Sequence, residues 1–177
     1  VYGLVALGFV LVFKAAGSIN FAHGEFLMVG GYLAVTVVIE LGMSVLPAAV
    51  FVVIGVGVLG ATVYLLAARH LVGASAFTVI LMTIGVAQII HAVLLMIYGP
   101  LEKSGVRVFP GGGIEVAGAQ VLWVDLITLA VAILFTAVFF VFFKRSVTGL
   151  KMRSVAESLE ASLVVGLRPG RYFILAW

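Results

Sequence analysis

The chain has 177 residues, 64% of them hydrophobic and only 10% charged, with a formal net charge of +3 and a mean hydropathy of +1.35. Soluble domains are about 45–50% apolar and about 25% charged, so this chain belongs in a bilayer, and three classes stay open: transporter or channel, intramembrane enzyme, and structural or signalling membrane subunit. Zero cysteines exclude disulfides and thiolate metal sites, while the basic residues are scattered among apolar runs, which suits an anionic lipid surface and not nucleic acid.

A transmembrane helix needs about 20 mostly apolar residues at about 1.5 Å each. Runs at 1–13, 19–39, 45–68, 77–98 and 123–143 come close, and another starts at 172. They predict one all-α domain over 1–177, a polytopic transmembrane helix bundle. The first run is short and lacks an initiator Met, so truncation at both ends is expected. A signal peptide would carry its charge before the apolar run, whereas Lys14 follows it.

Cytoplasmic loops retain Lys and Arg. With the loops at 14–18, 69–76 and 144–171 on one side, eight of the ten basic residues share it, and only Lys103 and Arg107 lie opposite. Residues 144–171 are therefore expected inside and 99–122 outside, with Tyr98 and Trp123 as interfacial anchors of the outer loop.

In chain order, the first polar stretch is "GSINFAHGEF" at 17–26. Ser18 is a reasonable N-cap for the second span, and Gly24 weakens the first turns and is expected to break the helix beside a cavity. Asn20, His23 and Glu25 then either line a path or gate, or reach headgroup water. Gly30 with Ala34, and Gly57 with Ala61, have the four-residue spacing of close helix packing. In the fourth span Thr83, Gln88 and His91 fall within about 140° of one another at 100° per residue, giving one polar face. Interhelical hydrogen bonding and a translocation path are the two readings of that face. No metal site is expected: His91 has no His or carboxylate three or four residues away, and His23 and Glu25 point to different faces.

The outer loop contains two short alternating segments, 106–109 and 114–116, around Pro110 and three glycines, so a small external loop or hairpin is expected, either a flexible extracellular turn or a docking surface for a soluble partner. The triple glycine is no phosphate cradle, because no Gly-Lys-Ser/Thr follows.

The longest inner segment reads "VTGLKMRSVAESLEASLVVGLRPGRYF". Ser154 and Glu157 have capping-box spacing, Gly166 suits the left-handed end of a helix, and Pro169 opposes its resumption. The expectation is an eleven-residue helix over 155–165 with one stripe formed by Val155, Ala156, Leu159 and Leu163. Its polar face carries Glu157 and Glu160 in place of Lys and Arg, which favours a partner's groove over a lipid surface.

Glu160-Ala161-Ser162, three residues and then Gly166 resembles the EAA loop of ABC-importer permeases, the coupling helix that docks on the ATPase subunit. "GFVLVFKAAGSINFAHGEFLMVGGYLA" and "TVILMTIGVAQII" resemble the permease family that imports branched-chain amino acids in bacteria and archaea. Ser162 stands where the motif has its second alanine, a small-for-small change. The resemblance implies a permease half in the plasma (inner) membrane that pairs with a homologous permease subunit. It also implies cytoplasmic ATP-binding subunits and an extracytoplasmic amino-acid-binding protein as partners, with lipid around the spans. Glu157, Glu160, Ala161, Ser162 and Gly166 would couple to the ATPase, and the 20–25 signature would shape the path or its gate. No Walker motif occurs, so no cofactor is expected on this chain, ATP being bound by partner subunits, and the chain itself is not expected to be an enzyme. An intramembrane enzyme lacks a Ser-His, two-His-carboxylate or paired-carboxylate constellation at usable spacing. A secondary transporter, or another polytopic protein without ATPase partners, is the closer alternative. It would need coupling-ion carboxylates near mid-membrane, and the centres of the expected spans contain none.

Overall fold

The computed structural model describes residues 2–16, 19–100, 112–116 and 119–177. In chain order it contains α1 (Tyr2–Ala16), α2 (His23–Val35, continued by a π-helical turn Thr36–Glu40), α3 (Val45–Leu66) and a 3-10 turn (Ala68–Leu71). There follow α4 (Ala76–Tyr98), β1 (Gly113–Val116), β2 (Ala119–Leu122), α5 (Trp123–Arg145), α6 (Val147–Glu157), α7 (Leu159–Val164) and α8 (Pro169–Ala176). It is an all-α membrane bundle with one small hairpin. Four helices among the described residues are long and apolar enough to cross a membrane: His23–Glu40, Val45–Leu66, Ala76–Tyr98 and Trp123–Arg145.

The core lies where α2 meets α4. Ala22, Phe26, Ala87, Ile90 and Leu94 form the buried cluster, with Val56, Leu59 and Val63 of α3 against it. Alanines and a threonine on the facing sides let the axes approach closely, which is how helices associate where lipid supplies no hydrophobic drive. Gly30 sits on α3, its Cβ position 3.5 Å from Val56. The expected Gly57–Ala61 pair is not a packing seam at Gly57, where a Cβ meets nothing within 4 Å; the tighter contact on α3 is Gly55, 3.2 Å from Leu33 Cδ1. At the other edge α1 packs on α6 and α8, and α8 also on α3.

The outer loop carries a hairpin in which the expected segment 114–116 is part of the first strand. β1, Gly113–Val116, pairs antiparallel with β2, Ala119–Leu122, in the register Gly113↔Leu122 to Val116↔Ala119. Residues 106–109 and Pro110 lie outside the described residues. Tyr98, the last residue of α4, stacks on Tyr32 with centroids 4.4 Å apart, and its hydroxyl lies 3.0 Å from that of Thr36. Trp123 is exposed and its amide donates to the Gly112 carbonyl at 3.1 Å.

The inner segment also departs from expectation. One helix over 155–165 does not form: α6 already begins at Val147, where the Ser146 hydroxyl accepts from the Gly149 amide at 2.9 Å, and the helix stops at Ser158. Ser154 is no cap, because it lies in the interior of α6 and its hydroxyl donates to the Leu150 carbonyl at 3.1 Å. Ser158, in extended conformation, takes the capping role, accepting from the Ala161 amide at 3.2 Å. The break splits the apolar stripe: Met152 and Val155 are buried on α6, whereas Leu163 on α7 is exposed. Pro169 does not bar a helix but opens α8 at its first position, where its missing N–H has no role.

Candidate functional site

The polar residues of the second and fourth spans separate into two places. The first is the entry to α2. Asn20 is buried, its side-chain carbonyl accepts from the Ala22 amide at 2.9 Å, and its backbone carbonyl accepts from His23. Thr83, fully buried on α4, accepts from the Phe21 amide at 3.2 Å and donates to the Ile80 carbonyl at 2.8 Å. Ser18, the expected cap, lies outside the described residues. The helix starts at His23, so the break precedes Gly24, which is the second helical residue and not an interruption.

The Phe21 amide meets Thr83, the eighth residue of α4 and about 10 Å along it from Ala76 at about 1.5 Å per residue. Thus α2 starts roughly a third of the way along its parallel neighbour, and residues 19–22 are non-helical backbone inside the apolar layer. Such backbone is tolerated only where its freed polar groups find partners in the protein or in a cavity. Asn20 and Thr83 supply two of those partners.

The second place is one turn further along. Glu25, in the first turn of α2, lies across from His91 of α4 with Oε2 3.4 Å from Nδ1; the side chains are 23% and 47% exposed. This approach is an ion pair only with the imidazole protonated, and it lacks hydrogen-bond geometry. Glu25 Oε2 is consequently buried with no hydrogen-bond partner among the described residues. A buried acceptor left unsatisfied costs about 1–3 kcal/mol, more when charged. Its negative charge is partly offset by the positive N-terminal end of α2.

His23 faces away from this pair. Its ring meets Phe9 edge-on at 5.7 Å, approaches the Gly8 Cβ position at 2.8 Å, and lines a cavity of about 460 Å³ with Val12, Phe139, Met152 and Leu175. Gln88 is exposed and does not share the packed face of Thr83, Ala87, Ile90 and Leu94. The expected polar face of α4 is therefore split: Thr83 turns to the α2 entry, His91 to Glu25, and Gln88 outward. No group of three His, Cys, Asp or Glu stands close enough to hold a metal among the described residues.

On the inner segment α7 is a single capped helix. Ser162 is buried, its hydroxyl donating to Leu159, whereas Glu157, Glu160, Ala161 and Gly166 are exposed. Gly166 has φ +76°; its amide donates to the Leu163 carbonyl and that of Leu167 to the Ser162 carbonyl, both at 3.0 Å. This paired closure is the Schellman arrangement. Val164 and Val165 beside it are 89% and 76% exposed. Sequence reasoning missed the Ser158 cap and the structural use of the Phe21 amide. Ser158 was legible as a second serine three residues before Ala161; a backbone donor leaves no trace in side-chain patterns.

An apolar bundle with four membrane-length helices, an internal helix break lined by polar groups and a capped helix outside the spans is a multi-pass integral membrane protein. The chain belongs to the family described as branched-chain amino acid transport system, permease component, which matches residues 1–177. It is 24% identical over 188 residues to the high-affinity branched-chain amino acid transport system permease protein BraD of Pseudomonas aeruginosa, an alignment covering 99% of this chain and 61% of BraD. Over 42 residues, 24% of this chain and 14% of the relative, it is 43% identical to the permease protein LivH of Escherichia coli and equally to that of Salmonella typhimurium. The chain thus spans about three-fifths of the length of BraD. No solved structure matches it.

Proposed function

We propose that the chain forms part of the translocation path of an ATP-driven importer for branched-chain or related amino acids in the plasma (inner) membrane of a bacterium or archaeon. Cytoplasmic ATP-binding subunits dock on α7, a homologous permease subunit completes the path, and an extracytoplasmic binding protein delivers the solute. ATP binds to the partner subunits, so the chain catalyses no reaction and holds no cofactor.

The observation that carries this reading is α7 itself. Six residues are too few for a stable isolated helix, yet this one is capped by Ser158, closed by Gly166 and presents Glu160, Val164 and Val165 outward. Two nearly fully exposed valines beside a rigid turn make an apolar knob that a partner groove would cover. Because α7 is followed closely by α8, which packs on α1, α3 and α6, a push on α7 reaches the bundle.

Uptake and substrate-stimulated ATP hydrolysis in proteoliposomes holding the complete complex test the reading. Gly166→Val forces a β-branched residue into a left-handed conformation, at about 1–2 kcal/mol, and Glu160→Lys reverses a charge at the contact. Both should lower ATPase association or uncouple hydrolysis from uptake while the spans still insert. Wild-type behaviour of both at equal assembly would reduce α7 to a lipid-surface segment and sink the coupling role.

A further inference from the structure

Where α3 ends and α8 begins, an open groove of about 580 Å³ is lined by Tyr64, Leu65, Arg69, Arg168, Arg171 and Ile174, among others. Arg69 follows the last residue of α3, Leu66, by three positions, so its guanidinium stands at the edge of the apolar layer whichever way the chain is oriented. Arg168 is the N-cap residue of α8 and Arg171 lies in its first turn.

Every fixed charge here has one sign. Among the described residues no carboxylate comes within salt-bridge distance of the three arginines, and the first turn of α8 holds no acidic residue and no side-chain cap. The positive end of the helix adds to the guanidinium charges, the reverse of the usual placement of acids at a helix start. Arg69 spends only its Nε, on His70 Nε2 at 3.3 Å. The groove floor is apolar, and Leu65 and Leu66 on the last turn of α3 are exposed. Uncompensated cations above an apolar ramp at a membrane boundary match a ligand with an anionic head and hydrocarbon tails.

We propose that this groove binds the phosphodiester headgroup of an anionic phospholipid, with Arg69, Arg168 and Arg171 around the phosphate and the acyl chains along Leu65 and Ile174. The site does not depend on which solute is carried; Leu163 of α7 and Leu167 also line it, so it adjoins the proposed ATPase contact, and the test below separates the two.

Native mass spectrometry of the complete purified complex, titrated with dioleoylphosphatidylglycerol or dioleoylphosphatidylcholine, tests it. Tight retention of phosphatidylglycerol over phosphatidylcholine is expected, weakened roughly fivefold for each arginine removed in Arg69→Gln and in the Arg168→Gln, Arg171→Gln pair. Arg153→Gln, on the exposed side of α6 and outside the groove, should change nothing. Equal retention of the two lipids by the wild type overturns the proposal, and that arm decides even if a variant does not assemble. Displacement of phosphatidylglycerol by millimolar inorganic phosphate would assign the groove to a free anion. Lost ATPase copurification at unchanged lipid retention would make it a protein contact.

Discussion

The backbone amide of Phe21 donates to the hydroxyl of Thr83 at 3.2 Å across 62 residues of sequence. This bond ties the non-helical entry of α2 to the side of α4 about a third of the way along its length, in a layer where water is not at hand to satisfy a free amide. Thr83 anchors its hydroxyl by donating to Ile80, which leaves the oxygen's acceptor side fixed toward Phe21.

Thr83→Val keeps the shape and removes the acceptor. A buried amide left without a partner costs about 1–3 kcal/mol, so the detergent-solubilised complex should melt earlier, whereas Thr83→Ser should lie close to the wild type. Equal melting of Thr83→Val and the wild type would mean that residues 19–22 are held by other contacts.

Glu25→Gln separates a structural from a transport role for the Glu25–His91 pair. Removing a carboxylate whose Oε2 has no hydrogen-bond partner among the described residues should leave stability unchanged or raised. Uptake, in contrast, should fall about tenfold, a change of about 1.4 kcal/mol. Unchanged uptake in proteoliposomes at equal assembly removes Glu25 from the path.

The two serines of the inner segment make opposite predictions. Ser158→Ala removes the cap of α7 and should cost about 1 kcal/mol, seen as faster hydrogen exchange over 159–164 and weaker ATPase association. Ser154→Ala, which only loses a bond to the Leu150 carbonyl within α6, should leave both nearly unchanged. The reverse ranking would restore a single helix capped at Ser154.

Glycine positions differ by what a methyl group would meet. At Gly149 a Cβ would stand 2.6 Å from the Phe142 carbonyl oxygen and 2.8 Å from Phe143 Cα, both backbone, while at Gly57 it meets nothing within 4 Å. Gly149→Ala should therefore open the α5–α6 corner and lower the melting temperature, whereas Gly57→Ala should raise helix stability by a few tenths to about 1 kcal/mol. Melting curves of the two variants check this directly; equal tolerance would show that the corner yields freely.

Orientation can be read with single cysteines, since the chain has none of its own. Ile114→Cys on the exposed β1 strand should react with a membrane-impermeant maleimide on intact cells, and Ser158→Cys at the α7 cap only after lysis. Labelling in the opposite order would invert the topology.

From the sequence alone, the solvent, the apolar runs and the glycine at the end of the inner helix were legible. These depend on local quantities: hydropathy summed over about 20 residues, and a left-handed backbone position that only a few residue types occupy cheaply. Gly166 at φ +76° illustrates the second. What tertiary structure decided was pairing and offset. Capping-box spacing favours Ser154 over Ser158, yet the cap falls to Ser158, with Met152 and Val155 of α6 buried against the bundle. Thr83, Gln88 and His91 look like one face on an isolated helix, but the offset docking of α2 on α4 gives the first to Phe21, the last to Glu25, and leaves Gln88 outside. That offset is a sum of many small contacts between alanines, Phe26 and Ile90 from segments some 60 residues apart, and no periodicity within either segment carries it.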